Sequence, residues 1–477
     1  MTRHTLASAC LPSLSHWRSP LAAGKVRLSP RPTYPTLFRV PIPVSDFFSY
    51  RGDELHAEGI AVPRIATSIG TPFYLYSAAA FTAQYQRFAE AFSGERPLIC
   101  YAVKANSNLA VLRLFAGLGA GADVVSEGEL RRALAAGMQP QRILFSGVGK
   151  TRAELEAALD AQIHQINVES VPELRRLSEV ACARGRVAPV AIRVNPDVDA
   201  RTHAKISTGM KENKFGIDLG EAVAAYSLAR ELPGIEPVGL AVHIGSQLVD
   251  LEPYRHAFAR VAGLVSELRA RGLAVTRIDL GGGLGIRYRA ECPPELNSYA
   301  RLVREIFGSA GLAMTFEPGR VLVGPAGLLV TRVIYVKQGA AKRFVIVDAA
   351  MNDLIRPALY DAWHDILLAR LPAPNTTLAP ADVVGPVCET GDTFAVDRDL
   401  PPIAEGDLVA FTAAGAYGAV MSSTYNSRPL VPEVLVTGSR FDVIRARPSY
   451  DDMLSLDTIP TWLSEVGPAP ARTRGTA

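Results

Sequence analysis

Leu98-Ile99-Cys100-Tyr101-Ala102-Val103-Lys104-Ala105-Asn106 opens with an apolar run, Leu98 to Val103, that a lysine closes. An apolar run of this length, bounded by polar residues, reads as a strand buried on both faces. The pattern recurs up to residue 319: a short apolar run ending in polar or glycine residues, then an amphipathic stretch with apolar spacing of three and four. Eight such runs are legible, Leu98 to Val103, Ala122 to Val125, Ile143 to Ser146, Gln165 to Val168, Val190 to Val194, Gly239 to His243, Arg277 to Leu280 and Met314 to Phe316. Helices are expected between them, among them Glu127 to Ala136, Arg152 to Ala161, Pro172 to Ala183, Pro253 to Arg271 and Ser298 to Ser309. Eight strand-helix alternations predict an α/β fold of the (β/α)8 barrel kind, with its active site at the C-terminal strand ends.

The residues at those ends are chemical ones: Lys104, Asp123 with Ser126, Ser146, Asn167 with Glu169, Asn195, His243, Gly281 to Gly283 with Gly285, and Glu317. An ammonium at the end of a buried run pays desolvation unless it is paired. A desolvated or cation-flanked lysine loses its proton readily enough to form a Schiff base with a carbonyl, whereas a lysine that merely snorkels to the rim does no chemistry. Gly281-Gly282-Gly283-Leu284-Gly285 follows the seventh run, in a loop where barrels of this class grip phosphate, and glycine lets backbone N–H groups approach an anion. Ser246 offers a hydroxyl to the same anion. Glu317 in Glu317-Pro318-Gly319-Arg320 either holds a proton on a heterocyclic nitrogen or pairs with Arg320. His243 either stacks on an aromatic ring, works as an acid or base, or is a satisfied core residue. Lysine, phosphate cradle and carboxylate together describe a pyridoxal 5'-phosphate site.

Beyond Arg320 the helical period fades into β-branched runs, Leu328 to Val336, Phe344 to Val347, Leu408 to Phe411 and Val434 to Val436. They predict a mostly β C-terminal domain. The expected division is residues 46–77 joining the β domain, 78–320 the barrel, 321–463 the β domain and 464–477 a disordered tail. Residues 1–45 contain no Asp or Glu and are basic, Ser- and Pro-rich, like an organelle transit peptide. The Ala/Arg/Pro bias of the whole chain favours a non-functional extension instead, and with it a cytoplasmic protein over a plastid one. Net charge is +3 with acids and bases mixed, which gives no field suited to nucleic acid. The 5 cysteines are scattered without CxxC pairs, so neither a disulfide framework nor a metal site is expected. No apolar segment approaches the roughly 18 residues of a membrane span.

Taken together, YAVKAN at 101–106, GADVVS at 121–126, RVNPDVDA at 193–200, HIGSQ at 243–247, GGGLG at 281–285, EPGR at 317–320, MNDLIRPALYDAWH at 351–364, GPVCETGD at 385–392 and GAYG at 415–418 are similar to one family. The chain resembles the alanine-racemase-like, fold type III pyridoxal-phosphate decarboxylases, and within them the diaminopimelate decarboxylase family, over roughly residues 46–460. The resemblance implies that Lys104 bonds the cofactor, His243 stacks on it and Glu317 pairs with its ring nitrogen. Ser246, Gly282, Gly283, Gly319 and Arg320 would hold its phosphate, with Tyr417 beside them. Arg320, Arg356, Tyr360 and Tyr417 would bind the substrate. Cys388, as proton donor, and Glu389, as a contact for the distal amine, would reach the active site of a second copy, which implies a homodimer. The loop His203 to Lys214 resembles the family's lid. The implied reaction converts meso-2,6-diaminopimelate to L-lysine and CO2. Ornithine, arginine or carboxynorspermidine decarboxylation, or a non-catalytic cofactor-binding homologue, are the alternatives.

Overall fold

Eight parallel strands close on themselves: Leu98–Ala102, Gly121–Val124, Ile143–Phe145, Gln165–Val168, Ala188–Asn195, Ile235–Val242, Arg277–Asp279 and Ala313–Phe316. The computed structural model describes residues 46–199 and 214–464. Closure is set by the last strand meeting the first, Thr315 opposite Leu98 and Phe316 opposite Ile99. All eight expected strands are present, and (β/α)8 architecture follows from the pattern as predicted. The N-terminal extension, the tail beyond residue 464 and nearly all of the expected lid lie outside the described residues.

Side-chain caps start three of the five expected helices within a residue of where the sequence indicated, while Glu252–Ala270 and Leu296–Phe307 begin earlier than expected and without such a cap. Thr151 and Glu154 form a reciprocal capping box ahead of Arg152–Ala161, Ser126 caps Glu127–Ala135, and Ser170 with Pro172 opens Val171–Ala183. Glu127 sits in the first turn of its helix and pairs with Arg131 four residues on, a place where the helix dipole favours an acid. Beneath the barrel, Phe92 packs on Phe316 with ring centroids 4.4 Å apart, and Tyr299 meets both rings edge-on. Aromatic contacts of this geometry fix the helices 78–91 and 296–307 to the eighth barrel strand.

One boundary differs with consequence. The first run was expected to continue as strand through Val103, but the strand ends at Ala102, and Val103–Ala105 is a tight 3-10 turn. The N–H of Asn106 bonds back to the Val103 carbonyl at 3.1 Å, which lifts Lys104 off the sheet and onto the rim.

The second domain is a mixed sheet. Gly327–Gln338 pairs antiparallel with Arg343–Val347, with Leu408–Phe411 and with Phe73–Ser77. Phe73–Ser77 also pairs in parallel with Glu433–Thr437, so a strand that precedes the barrel in sequence is held between two that follow it. Glu433, 1% exposed, ties the domains together: Tyr76 donates its hydroxyl to Oε2 at 2.6 Å, and Asn108, the cap of the first barrel helix, donates to Oε1 at 2.8 Å.

Candidate active site

The strand ends of the barrel and segments 356–363 and 417–421 of the sheet domain enclose a cavity of about 460 Å³. Its floor is acidic. Lys104 Nζ donates to Asp123 Oδ2 at 2.5 Å, with the Lys104 side chain 35% exposed into the cavity and Asp123 fully buried. Burial alone pulls the lysine pKa down, but Asp123, Glu317 and Tyr417 outweigh it, and the ammonium is held above its ordinary value. A readily deprotonated lysine was the expectation, and pairing with Asp123 reverses it.

Behind the lysine stand two more carboxyls. Glu317 Oε1 accepts from Ser146 Oγ at 3.2 Å and Asn167 Nδ2 at 3.3 Å, and Asn167 Nδ2 also donates to Asp279 Oδ2 at 2.8 Å. Burial, then Asp123 and Asp279, push Glu317 well above the usual carboxylate range, and burial raises its neighbour Asp279 as well. Asp279 was not singled out from the sequence; an acid inside an otherwise apolar strand was the available signal. No ion pair joins Glu317 to Arg320 among the described residues, which disposes of the salt-bridge alternative.

His243 faces the same space, and burial, with Arg193 and Lys104 adding to it, pushes its imidazole far below its ordinary pKa. It is neutral. Its Nδ1 accepts from the Gly282 N–H at 3.2 Å, so Nε2 carries the proton. Gly282 therefore differs from expectation: its N–H serves the histidine ring, and it lies beside the lining, while Gly283, Ser246 and Gly319 are on it. The loop admits no side chain, since a Cβ on Gly282 would sit 2.1 Å from the Glu317 carbonyl and one on Gly283, at φ +98, 2.2 Å from that of Gly245.

The outer wall is cationic. Arg320, 7% exposed, donates to the Tyr288 hydroxyl at 2.7 Å and to Ser246 Oγ at 3.0 Å, lies over the Tyr417 ring at 4.7 Å, and has no partner for Nε. Arg356, 6% exposed, lies over the other aromatic neighbour, Tyr288, at 4.5 Å and donates to His364 Nε2 at 2.9 Å. Tyr360 also lines this wall, and Tyr417, at φ +55, is held there by its N–H to the Ala105 carbonyl. Tyr288 and His364 were missed by sequence reasoning. Cys388 and Glu389 do not line the cavity of their own chain: both are exposed, Cys388 against Asn426 and Glu389 against the Tyr425 hydroxyl.

Comparison with known proteins agrees with this geometry. The pyridoxal-binding domain of the pyridoxal-dependent decarboxylases matches residues 78–324. The diaminopimelate decarboxylase of Pseudomonas aeruginosa is 53% identical over 416 residues, 87% of this chain and 99% of that protein. The chain belongs to the diaminopimelate decarboxylase family. Two solved diaminopimelate decarboxylases in complex with L-lysine superpose closely. The Helicobacter pylori structure has a TM-score of 0.80 at 45% identity and covers 83% of this chain and 98% of its own. That of M. jannaschii has a TM-score of 0.84 at 36% identity, covering 88% and 100%. The residues present fit the cofactor of the diaminopimelate decarboxylase family: an amine beside a buried carboxyl, a neutral imidazole on the cavity lining, and a side-chain-free cradle next to a guanidinium with an orphaned Nε.

Proposed function

We propose that this chain decarboxylates meso-2,6-diaminopimelate, using pyridoxal 5'-phosphate, to L-lysine and CO2. The observation that carries the substrate assignment is the outer wall, where two buried guanidiniums face the cavity and neither forms an ion pair among the described residues. A second substrate carboxylate satisfies them; the cationic ends of ornithine or arginine do not. Bound pyridoxal phosphate supplies an electron sink for the pair released as the carboxylate leaves. Lys104 holds the cofactor. Glu317 keeps a proton at the ring nitrogen, backed by Asp279 and Asn167. The neutral imidazole of His243 stacks without adding charge. Ser246, Gly283 and Gly319 take the phosphate with Arg320 beside them, and Arg320, Arg356, Tyr360 and Tyr417 orient the distal carboxylate end of the substrate.

The proton that replaces CO2 on carbon comes from Cys388 of a second copy, with Glu389 of that copy meeting the distal amine. A homodimer follows from this reading. Supporting it, both residues lie outside their own cavity, and the C-terminal segment leaves large apolar side chains uncovered, Leu456 at 84% and Trp462 at 68%. Among the described residues no helix is long and apolar enough to cross a membrane, and with the unpaired cysteines this supports a cytoplasmic setting.

The test is lysine and CO2 formation from meso-diaminopimelate with added pyridoxal phosphate, beside ornithine and arginine, with Lys104→Ala as blank. Lysine from the wild type alone is expected. Release from ornithine or arginine only would overturn the substrate reading and leave a decarboxylase.

A further inference from the structure

Where this fold merely needs a buried cation, it supplies a carboxylate. Arg193 pairs with Glu169 at 2.7 Å and Lys150 with Glu173 at 2.8 Å, all four side chains buried. Arg320 and Arg356 are as deeply buried, and among the described residues their hydrogen-bond and ring partners are neutral, a phenol, a serine hydroxyl, an imidazole and aromatic faces, while Glu291 and Asp361 line the same cavity without pairing to them. Two residues outside the expected site do most of this. The Tyr288 ring lies against both guanidiniums, 5.8 Å from that of Arg320 and 4.5 Å from that of Arg356, and its hydroxyl accepts from Arg320. His364, 1% exposed, meets the Tyr288 ring edge-on at 5.5 Å and accepts from Arg356.

Hydrogen bonding fixes the charge of His364. Nδ1 lies 2.7 Å from the Thr412 carbonyl, which only accepts, so Nδ1 carries the proton. Nε2 faces a guanidinium, which only donates, so Nε2 is bare. Burial, followed by Arg356, pushes the imidazole down to about 3, in agreement with the same neutral tautomer. A carboxylate at this position would bond Arg356 more strongly and would neutralise it. The fold places there an acceptor without a charge.

We infer that Tyr288 and His364 are positioning residues that hold Arg320 and Arg356 together as an uncompensated cationic pair, and so set the specificity of the cavity for an amino acid bearing a second carboxylate. This rests on the substrate reading above. Neutral partners orient the two forks and leave further N–H donors for the ligand, while the π face between the arginines eases their mutual repulsion. Selectivity then comes from a withheld counter-charge as well as from the arginines themselves.

The experiment compares His364→Gln, a neutral acceptor with its own donor, and His364→Glu, an acceptor with a charge, in the pyridoxal-phosphate-loaded enzyme. Measured quantities are KM and kcat for meso-diaminopimelate, the dissociation constants of L-lysine and of its carboxylate-free counterpart pentane-1,5-diamine, and the absorbance of lysine-bound cofactor. His364→Gln is expected to stay within roughly threefold of wild type in KM, and His364→Glu to raise KM and the L-lysine dissociation constant roughly 30-fold with kcat little changed and cofactor absorbance intact. The preference for L-lysine over the diamine should collapse in His364→Glu alone. A merely structural histidine predicts the opposite order, since glutamate is the stronger partner for Arg356, and equal constants for the two variants would overturn the inference. Should His364→Glu fail to bind cofactor, Tyr288→Phe decides: loss of the acceptor for Arg320 is expected to raise KM roughly three- to tenfold at constant kcat, and an unchanged KM sinks the idea. A wild type silent on meso-diaminopimelate would instead defeat the substrate reading, so the two failures are distinct.

Discussion

The floor and the outer wall of this cavity are built on opposite electrostatic plans. At the floor three buried carboxyls, Asp123, Asp279 and Glu317, stand around one lysine, and burial with the neighbouring acids pushes Glu317 well above the usual carboxylate range. At the wall two buried guanidiniums form no ion pair among the described residues, and arginine cannot discharge itself. The difference teaches what each end is for. Titratable acids suit a place where protons are held and moved; permanent cations suit a place where an anion is bound and left unchanged.

Substitutions at the floor should therefore act on kcat, and those at the wall on KM. The largest effect is expected from Lys104→Ala, which should cost roughly 10,000-fold in kcat and abolish the absorbance of lysine-bound cofactor. Glu317→Gln is next, with kcat down about 100- to 1,000-fold and the L-lysine dissociation constant, measured by calorimetry, nearly unmoved. Arg356→Met should reverse that signature, raising KM about 100-fold while kcat stays within a few-fold. A floor variant that changed only KM, or a wall variant that changed only kcat, would break the division of labour.

The smallest effect on turnover concerns Glu129, on the helix below Asp123, whose carboxyl is raised to about 7, first by burial. Its folded-state pKa lies above its ordinary 4.5, so the folded chain binds this proton more tightly than the unfolded one. Stability from this group is present at low pH, falls as pH rises from about 4.5 to about 7, and stays lost above. Glu129→Gln keeps an acceptor for the Val125 N–H and removes the titration. Urea unfolding should show the variant more stable by up to about 3 kcal/mol at pH 8 and indistinguishable below pH 4.5.

Much of the barrel was legible because a parallel strand is buried on both faces and announces itself as an apolar run, with its functional end marked by the first polar residue. Lys104, His243 and Glu317 were found in that way. Helix starts were equally local, since Thr151 with Glu154, and Ser126, satisfy their own neighbours. The outer wall was not legible from pattern. Arg356, Tyr360 and Tyr417 came from resemblance, because a single arginine in Ile355-Arg356-Pro357 carries no periodic signal. His364 and Tyr288 were missed for the same reason: 76 residues separate two rings whose meaning lies only in their contact. The protonation of Lys104 was also out of reach, as it depends on Asp123 from the next strand and on a turn that the run of apolar residues concealed.

The strand Phe73–Ser77 has a consequence for the birth of the protein. On the ribosome it emerges early, yet its parallel neighbour, Glu433–Thr437, is among the last segments made. Until that segment appears, Tyr76 and Asn108 lack the buried acceptor that Glu433 provides, and an interior strand waits as an open edge. A nonsense codon between residues 324 and 433 thus yields more than a shortened enzyme: it leaves a complete barrel beside an unfinished sheet, a translation product suited to proteolysis or aggregation and with no share in metabolism.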